Sequence, residues 1–208
     1  MEYLRRLSNL TLQYLPTFLY NTENMSTSSE EPSQFWYKKM KTFYRRADKH
    51  SHGYITFEEY IKIADYFEKT GQLSPVKAQH LRRALAHTWQ HCWCHGTTCD
   101  QVMEEEFISN MAEFVKGDRR EIVTLAMPYI YEAIDLNKNG EISVEEYRTF
   151  LSGHGIDTTH ADAAFAAMDT NNDNVISKEE FLHAAEEFFL SNEEGGVNSH
   201  CFWGALID

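Results

Sequence analysis

The segment DLNKNGEISVEE, Asp135 to Glu146, sets oxygen-bearing side chains at alternate positions, a glycine at its sixth residue and a glutamate at its twelfth. Oxygen donors at that spacing can wrap a hard divalent cation. Calcium takes six to eight oxygens, and a twelve-residue loop supplies them from positions 1, 3, 5, 7, 9 and 12. Here the donors are the side chains of Asp135, Asn137 and Asn139, the main-chain carbonyl of Glu141, Ser143 directly or through water, and Glu146 as a bidentate ligand. Gly140 takes the sharp turn, where positive φ costs glycine little. A second segment, DTNNDNVISKEE, offers Asp169, Asn171, Asp173, the Val175 carbonyl, Ser177 and Glu180. Its turn residue is Asn174, and asparagine also tolerates positive φ. The exchange should cost about 1 kcal/mol or less and leave binding in place. Asp173 gives this loop a third carboxylate, so extra charge and a strained turn act in opposite directions on affinity.

Two distorted copies lie upstream. DKHSHGYITFEE keeps Asp48, Gly53, Ile55, Thr56 and Glu59 but has His50 and His52 at positions 3 and 5. Imidazole is a nitrogen ligand that suits zinc, copper or nickel better than calcium. This loop is expected to keep its shape and to bind calcium weakly or not at all; the alternative is a site recruited to a transition metal. HGTTCDQVMEEE, from His95 to Glu106, retains only scaffold features. Just before it, HCWCH (His91 to His95) with Cys99 invites a zinc reading if the entering helix continues to about residue 94. The one-residue Cys spacer is tighter than structural zinc sites use, which favours a decayed loop with core-facing cysteine and tryptophan.

Aligned at Asp48, His95, Asp135 and Asp169, the four segments share an aliphatic eighth residue (Ile55, Val102, Ile142, Ile176) and a twelfth-position glutamate (Glu59, Glu106, Glu146, Glu180). An aromatic thirteenth residue follows in each: Tyr60, Phe107, Tyr147 and Phe181. Apolar residues flank the loops at helical spacing, such as Phe43 with Ala47, Ile130 with Ile134, and Phe181 with Ala184 and Phe188. The repeat therefore predicts an all-α fold of four helix–loop–helix units. The eighth residues should pair adjacent loops as short β-bridges, Ile55 with Val102 and Ile142 with Ile176, giving two packed lobes. Residues 1–34 read as an N-terminal extension and flexible linker, 35–116 as the first pair, and 117–208 as the second pair with a C-terminal tail. Ser74-Pro75 should start the helix entering the second unit. Thr159 to Asp162 resembles a capping box before the fourth.

The net charge of −13 argues against a nucleic-acid partner, whose phosphates need a basic surface. Between Asp135 and Glu194 stand 14 Asp and Glu against 3 Lys and Arg, so that segment alone carries −11. Such a cluster repels itself unless cations sit within it. No apolar run reaches 18 residues, so no integral membrane segment is expected. The leucine-rich start is interrupted by Ser8, Asn9, Thr11, Gln13 and Pro16 and is a poor secretory signal; the alternatives are a weak organellar signal or a surface-binding helix, and a cytoplasmic protein is expected. The four cysteines do not read as a disulfide framework. No nucleophile motif or phosphate-binding glycine loop argues for an enzyme.

The repeat resembles the EF-hand superfamily. From about Phe35 onward the chain is similar to the invertebrate sarcoplasmic calcium-binding proteins and calexcitin-like proteins. The two intact loops carry the resemblance, with the approach LAHTWQHCW to the decayed second loop. So does the tail, with Ser191-Asn192-Glu193 and Trp203-Gly204-Ala205-Leu206. It implies two lobes packed together, the tail laid over apolar surface, and a monomer that binds calcium, with magnesium competing. The role implied is calcium buffer, or sensor with a protein target. Seven scattered methionines do not form a Met-rich groove, which favours the buffer. The alternative is a coelenterazine-type small-ligand or photoprotein-like carrier on the same fold, its cavity lined from Trp36, Trp89, Trp93 and Trp203. The photoproteins' histidine after the last loop is not matched by His183, and the tryptophans are expected to pack the core.

Overall fold

Ser33 starts the first helix, its Oγ accepting the Trp36 amide at 3.1 Å. That helix belongs to a computed structural model describing residues 31–117, 120–194 and 202–207. Most of the expected extension, residues 1–30, lies outside the described residues, as does Cys201. The elements run α1 (Gln34–Ala47), β1 (Tyr54–Thr56), α2 (Phe57–Lys69), α3 (Pro75–Thr88), β2 (Gln101–Met103) and α4 (Glu104–Val115). A 3-10 turn (Arg120–Thr124) leads to α5 (Met127–Ile134), α6 (Val144–Gly153), α7 (Ala161–Met168) and α8 (Lys178–Leu190).

Loop chemistry sets where the exiting helices begin. Thr56, Ser143 and Ser177 occupy position 9 of their loops and are the N-caps of α2, α6 and α8, each in a reciprocal capping box with the position-12 glutamate. A metal-ligating spacing and a helix-start signal thus share the same two residues. Ser74 caps α3 with Pro75 in its first turn, as expected. The box expected at Thr159 does not form: the N-cap of α7 is His160, without a side-chain bond. Thr159 instead gives its amide and hydroxyl to Asp157 Oδ1, at 2.8 and 2.6 Å. That Asx-type turn competes with capping for the same groups.

The loops pair as the eighth-position residues require. β1 and β2 run antiparallel with Ile55 opposite Val102. Ile142 and Ile176 exchange both main-chain hydrogen bonds, at 3.0 and 2.8 Å. A tyrosine four residues before the loop ties each pair. Tyr44 donates to the Val102 carbonyl at 2.7 Å, and Tyr131 to the Gly140 carbonyl at 2.6 Å with Ile176 O at 3.3 Å.

One core joins the lobes. Phe43 of α1 meets Trp93, Phe107, Phe189 and Trp203 with ring centroids 5.1 to 6.2 Å apart. Trp36 donates from Nε1 to Phe189 O at 2.8 Å. Lys39, fully buried, donates to Glu187 O and Ser191 O at 3.0 and 2.8 Å, closing the C-terminal carbonyls of α8. Burial pulls its ammonium down to about 8, with Glu187 partly offsetting. The tail covers the exposed side of this core. Phe202 packs on Phe181 and Phe188, its carbonyl accepts from Tyr147 Oη at 2.9 Å, and Trp203 lies against Phe150. Gly204 lets it approach: φ is +78, and a Cβ there would stand 2.7 Å from Ile156 Cγ2. Arg46 Nη2 then donates to the Ala205 carbonyl, and Ile207 N to Thr42 Oγ1 at 3.1 Å.

The approach to the second loop departs from expectation. α3 ends at Thr88, and Trp89–Trp93 form a π-helical turn closed by Cys94 N to Trp89 O at 2.9 Å. The wider turn stacks Trp93 on Trp89 at 5.1 Å. It also ends the regular helix that would have set His91 and His95 on one face; His95 lies past the turn, at φ 49. Cys94 is bonded to Cys99, with Cα atoms 5.8 Å apart. The composition did not suggest a disulfide; the chain doubles back here through Thr97 N to Cys94 O, bringing the two thiols together. The zinc reading of HCWCH therefore fails.

Candidate metal centre

Loops three and four are built alike. In the third, Asp135 accepts from Asn139 N and Gly140 N at 3.1 and 2.9 Å, while Asn137 Oδ1 and Asn139 Oδ1 accept the amides two residues on, both at 2.9 Å. Glu146 reaches back across the loop. Its Oε1 accepts from Leu136 N and Asn137 N at 2.9 and 3.2 Å, and its Oε2 from Ser143 N and Oγ at 2.9 and 2.8 Å. In the fourth, Asp169 accepts from Asp173 N and Asn174 N at 3.0 and 2.9 Å. Asn171 Oδ1 accepts from Asp173 N at 2.8 Å, and Asp173 Oδ1 from Val175 N at 3.1 Å. Glu180 Oε1 accepts from Thr170 N and Oγ1 at 2.9 and 2.8 Å, and Oε2 from Ser177 N and Oγ at 2.9 and 2.8 Å. Main-chain donors thus aim side-chain oxygens from positions 1, 3, 5 and 12 around each loop, and a hard cation fits that donor set.

Both glutamates are ionised at neutral pH. Burial alone would raise the Glu180 carboxyl, but the Ser177 and Thr170 hydrogen bonds hold it down to about 2. Glu146 is lowered in the same way, against its burial, by Ser143, Asn137 and Leu136. Asp135, Glu146 and Asp169 are all buried.

Backbone strain is shared more widely than the glycine rule suggests. Positive φ falls at position 6 (Gly140 +86, Asn174 +67) and also at position 4 (Lys138 +61, Asn172 +60). Sequence reasoning missed position 4, where the loops carry lysine and asparagine. Asn174 adopts the left-handed turn expected of it. Replacing it by glycine should leave the unfolding free energy within about 1 kcal/mol. A β-branched valine there should lower it by about 1–3 kcal/mol. Denaturant unfolding of the calcium-free chain measures both.

The first loop has the same backbone with different chemistry. Ser51 and Gly53 have φ of 51 and 86, and Gly53 N donates to Asp48 Oδ2 at 2.9 Å. Thr56 N and Oγ1 donate to Glu59 Oε2 at 2.9 and 2.7 Å, and these bonds above all hold the Glu59 carboxyl down to about 2. Where Oε1 of Glu146 and Glu180 meets loop amides, Oε1 of Glu59 meets His52 Nε2 at 3.2 Å. His52 Nδ1 stands 3.3 Å from Asp48 Oδ1, so the ring lies between the position-1 and position-12 carboxylates. In the second loop only the Met103 N to Glu106 Oε2 bond, 3.0 Å, survives of this scheme. Among the described residues, no group of three or more His, Cys, Asp or Glu side chains is placed so that it could hold a metal ion as it stands.

Four helix–loop–helix units paired through their loops, two with complete oxygen sets, define an EF-hand protein, and residues 126–186 match the family model of an EF-hand domain pair. The chain is 34% identical to the sarcoplasmic calcium-binding protein of Hediste diversicolor over 176 residues, which cover 84% of this chain and 100% of that one. It belongs to the sarcoplasmic calcium-binding protein family and is a calcium-binding protein. It is also 28% identical to the luciferin-binding protein of Renilla reniformis, over 82% of this chain and 94% of that one. The calcium-loaded apo form of the coelenterazine-binding protein from Renilla muelleri superposes with a TM-score of 0.59, at 29% identity over 83% of this chain and 96% of that one.

Proposed function

We propose that the protein is a calcium buffer whose two sites are the third and fourth loops. Asp135, Asn137, Asn139, the Glu141 carbonyl, Ser143 and Glu146 would hold one ion. Asp169, Asn171, Asp173, the Val175 carbonyl, Ser177 and Glu180 would hold the other, with magnesium as competitor. Residues 117–208 would carry the metal and residues 35–116 the scaffold. The observation that carries the buffer reading is the tail: Phe202 and Trp203 already fill the apolar side of α6 and α8, where a sensor would receive a target. The sarcoplasmic relatives support a cytoplasmic location. No catalytic step is proposed, and a monomer is expected. Calcium titration with an apolar fluorescent dye tests the reading: a buffer gives heat of binding without dye uptake, and saturable dye binding would mark a sensor.

One observation favours a second reading. A cavity of about 320 Å³ lies between the lobes, lined by Phe43, Tyr60, Ile63, Tyr66, Met127 and Trp203 among others. Two buried donors in its wall, Arg46 Nη1 and Trp203 Nε1, have no hydrogen-bond partner. The other three tryptophans pack the core, fully buried. A carrier would place an aromatic body in this space and an acceptor against those donors. Adding coelenterazine should give no saturable absorbance change if the protein only buffers calcium; a one-to-one shift favours the carrier.

A further inference from the structure

The first loop has kept a folded frame after losing its oxygens, and the donors it now presents are chemically different. Two of them stand at ligand spacing and a third lies near. Glu59 Oε1 is 3.2 Å from His52 Nε2 and 3.9 Å from His50 Nε2. Ligand atoms bound about 2.0–2.1 Å from a tetrahedral ion stand about 3.3 Å from one another. The His52–Glu59 separation is already an edge of that tetrahedron. His50 is the donor that must move, and its side chain, 70% exposed, has room to rotate inward.

The surrounding contacts favour such an ion. Asp48 Oδ1 lies 3.3 Å from His52 Nδ1, so a carboxylate stands behind the ring, and a metal ion would replace the Nε2 proton that now faces Glu59 Oε1. A carboxylate behind a histidine is the usual outer partner of a zinc ligand. Oε1 of Glu59 is also the one position-12 oxygen among loops one, three and four to which no main-chain amide donates. Asp48 and Glu59 bring two negative charges to two imidazoles, a mixed nitrogen and oxygen set that suits zinc or copper and is poor for calcium.

We propose that the first loop is a binding site for a borderline transition-metal ion of the zinc type. His50 Nε2, His52 Nε2 and Glu59 Oε1 are the ligands, Asp48 orients His52, and water takes the fourth position. The site is separate from the two calcium loops and is filled with calcium present. Asp48, His50, His52 and Glu59 also contribute to the lining of the inter-lobe cavity.

The test is zinc titration of the chelator-stripped full chain in saturating calcium, with cobalt(II) as a spectroscopic stand-in whose visible absorption reports tetrahedral coordination. One zinc per chain is expected. His50→Gln should weaken uptake about 10-fold or more, since even an outer partner of a metal ligand is worth 10–100-fold. His52→Gln should abolish it, and His91→Gln with His95→Gln should leave it unchanged. Because His50 is exposed, its variant keeps the fold, and the result does not depend on how His52→Gln behaves. Absence of stoichiometric uptake overturns the proposal. So does uptake that survives His50→Gln undiminished, or that follows His91 and His95.

Discussion

Glu146→Gln is expected to remove one calcium ion per chain and leave the other bound. In the third loop the carboxylate is held from both sides, Oε1 by two loop amides and Oε2 by the amide and hydroxyl of Ser143. Glutamine keeps one acceptor. Its NH₂ group must then face one of the two donor sets, and the bidentate ligand and one negative charge are lost together. Ligand charge count tunes such loops over many decades, so a loss of about 100-fold or more in affinity is expected at that loop. Glutamine also serves as the N3 partner of a capping box, so α6 should keep its start and the calcium-free chain should lose about 1 kcal/mol or less. Glu180→Gln should act in the same way on the fourth loop. The surviving loop should bind more weakly than in the parent, because Ile142 and Ile176 share both main-chain bonds and Tyr131 reaches both loops. Calorimetric stoichiometry falling from two to one checks the substitution. A count that stays at two would show that position 12 is not the ligand.

His50→Asn combined with His52→Asp should create a third calcium site. The first loop has lost ligands and kept its backbone: positive φ at Ser51 and Gly53 matches Lys138 and Gly140, and Thr56 caps α2 onto Glu59 as Ser143 caps α6 onto Glu146. Removing the imidazole frees Glu59 Oε1 and Asp48 Oδ1 from His52 and restores oxygen at positions 3 and 5. The loop would then read Asp, Asn, Asp, carbonyl, Thr, Glu. Calorimetry should count three ions per chain. If the count stays at two, the difference between loops lies in backbone or lobe packing and not in those two side chains.

The geometry of the candidate loops was legible because the pattern of a twelve-residue loop is local: each oxygen sits at a fixed offset, and the glutamate at its twelfth position also starts the next helix. The pairing of Ile55 with Val102 and of Ile142 with Ile176 was readable for the same reason, since an aliphatic eighth residue recurs in all four units. What escaped the sequence depends on contacts between distant residues. The hydroxyls of Tyr44 and Tyr131 tie paired loops together through carbonyls that no local pattern names. The π turn at Trp89–Trp93 carries no spacing signal that periodicity detects, and it decided the fate of the HCWCH segment. The Cys94–Cys99 bond depends on the reversal that follows that turn, through Thr97 N to Cys94 O. The box at Thr159 was plausible by pattern and lost to Asp157, two residues upstream. Of the four tryptophans named for a cavity, only Trp203 lines it; the rest of its wall, such as Tyr60 and Met127, comes from different units of the chain and carries no shared sequence signal.

Counting calcium on the chelator-stripped protein by calorimetry, at micromolar ion concentrations, is the most direct measurement of where the metal goes. Two ions per chain are predicted in the parent, one in Glu146→Gln and one in Glu180→Gln. No uptake at all, or two ions retained in either variant, would contradict the assignment of calcium to the third and fourth loops.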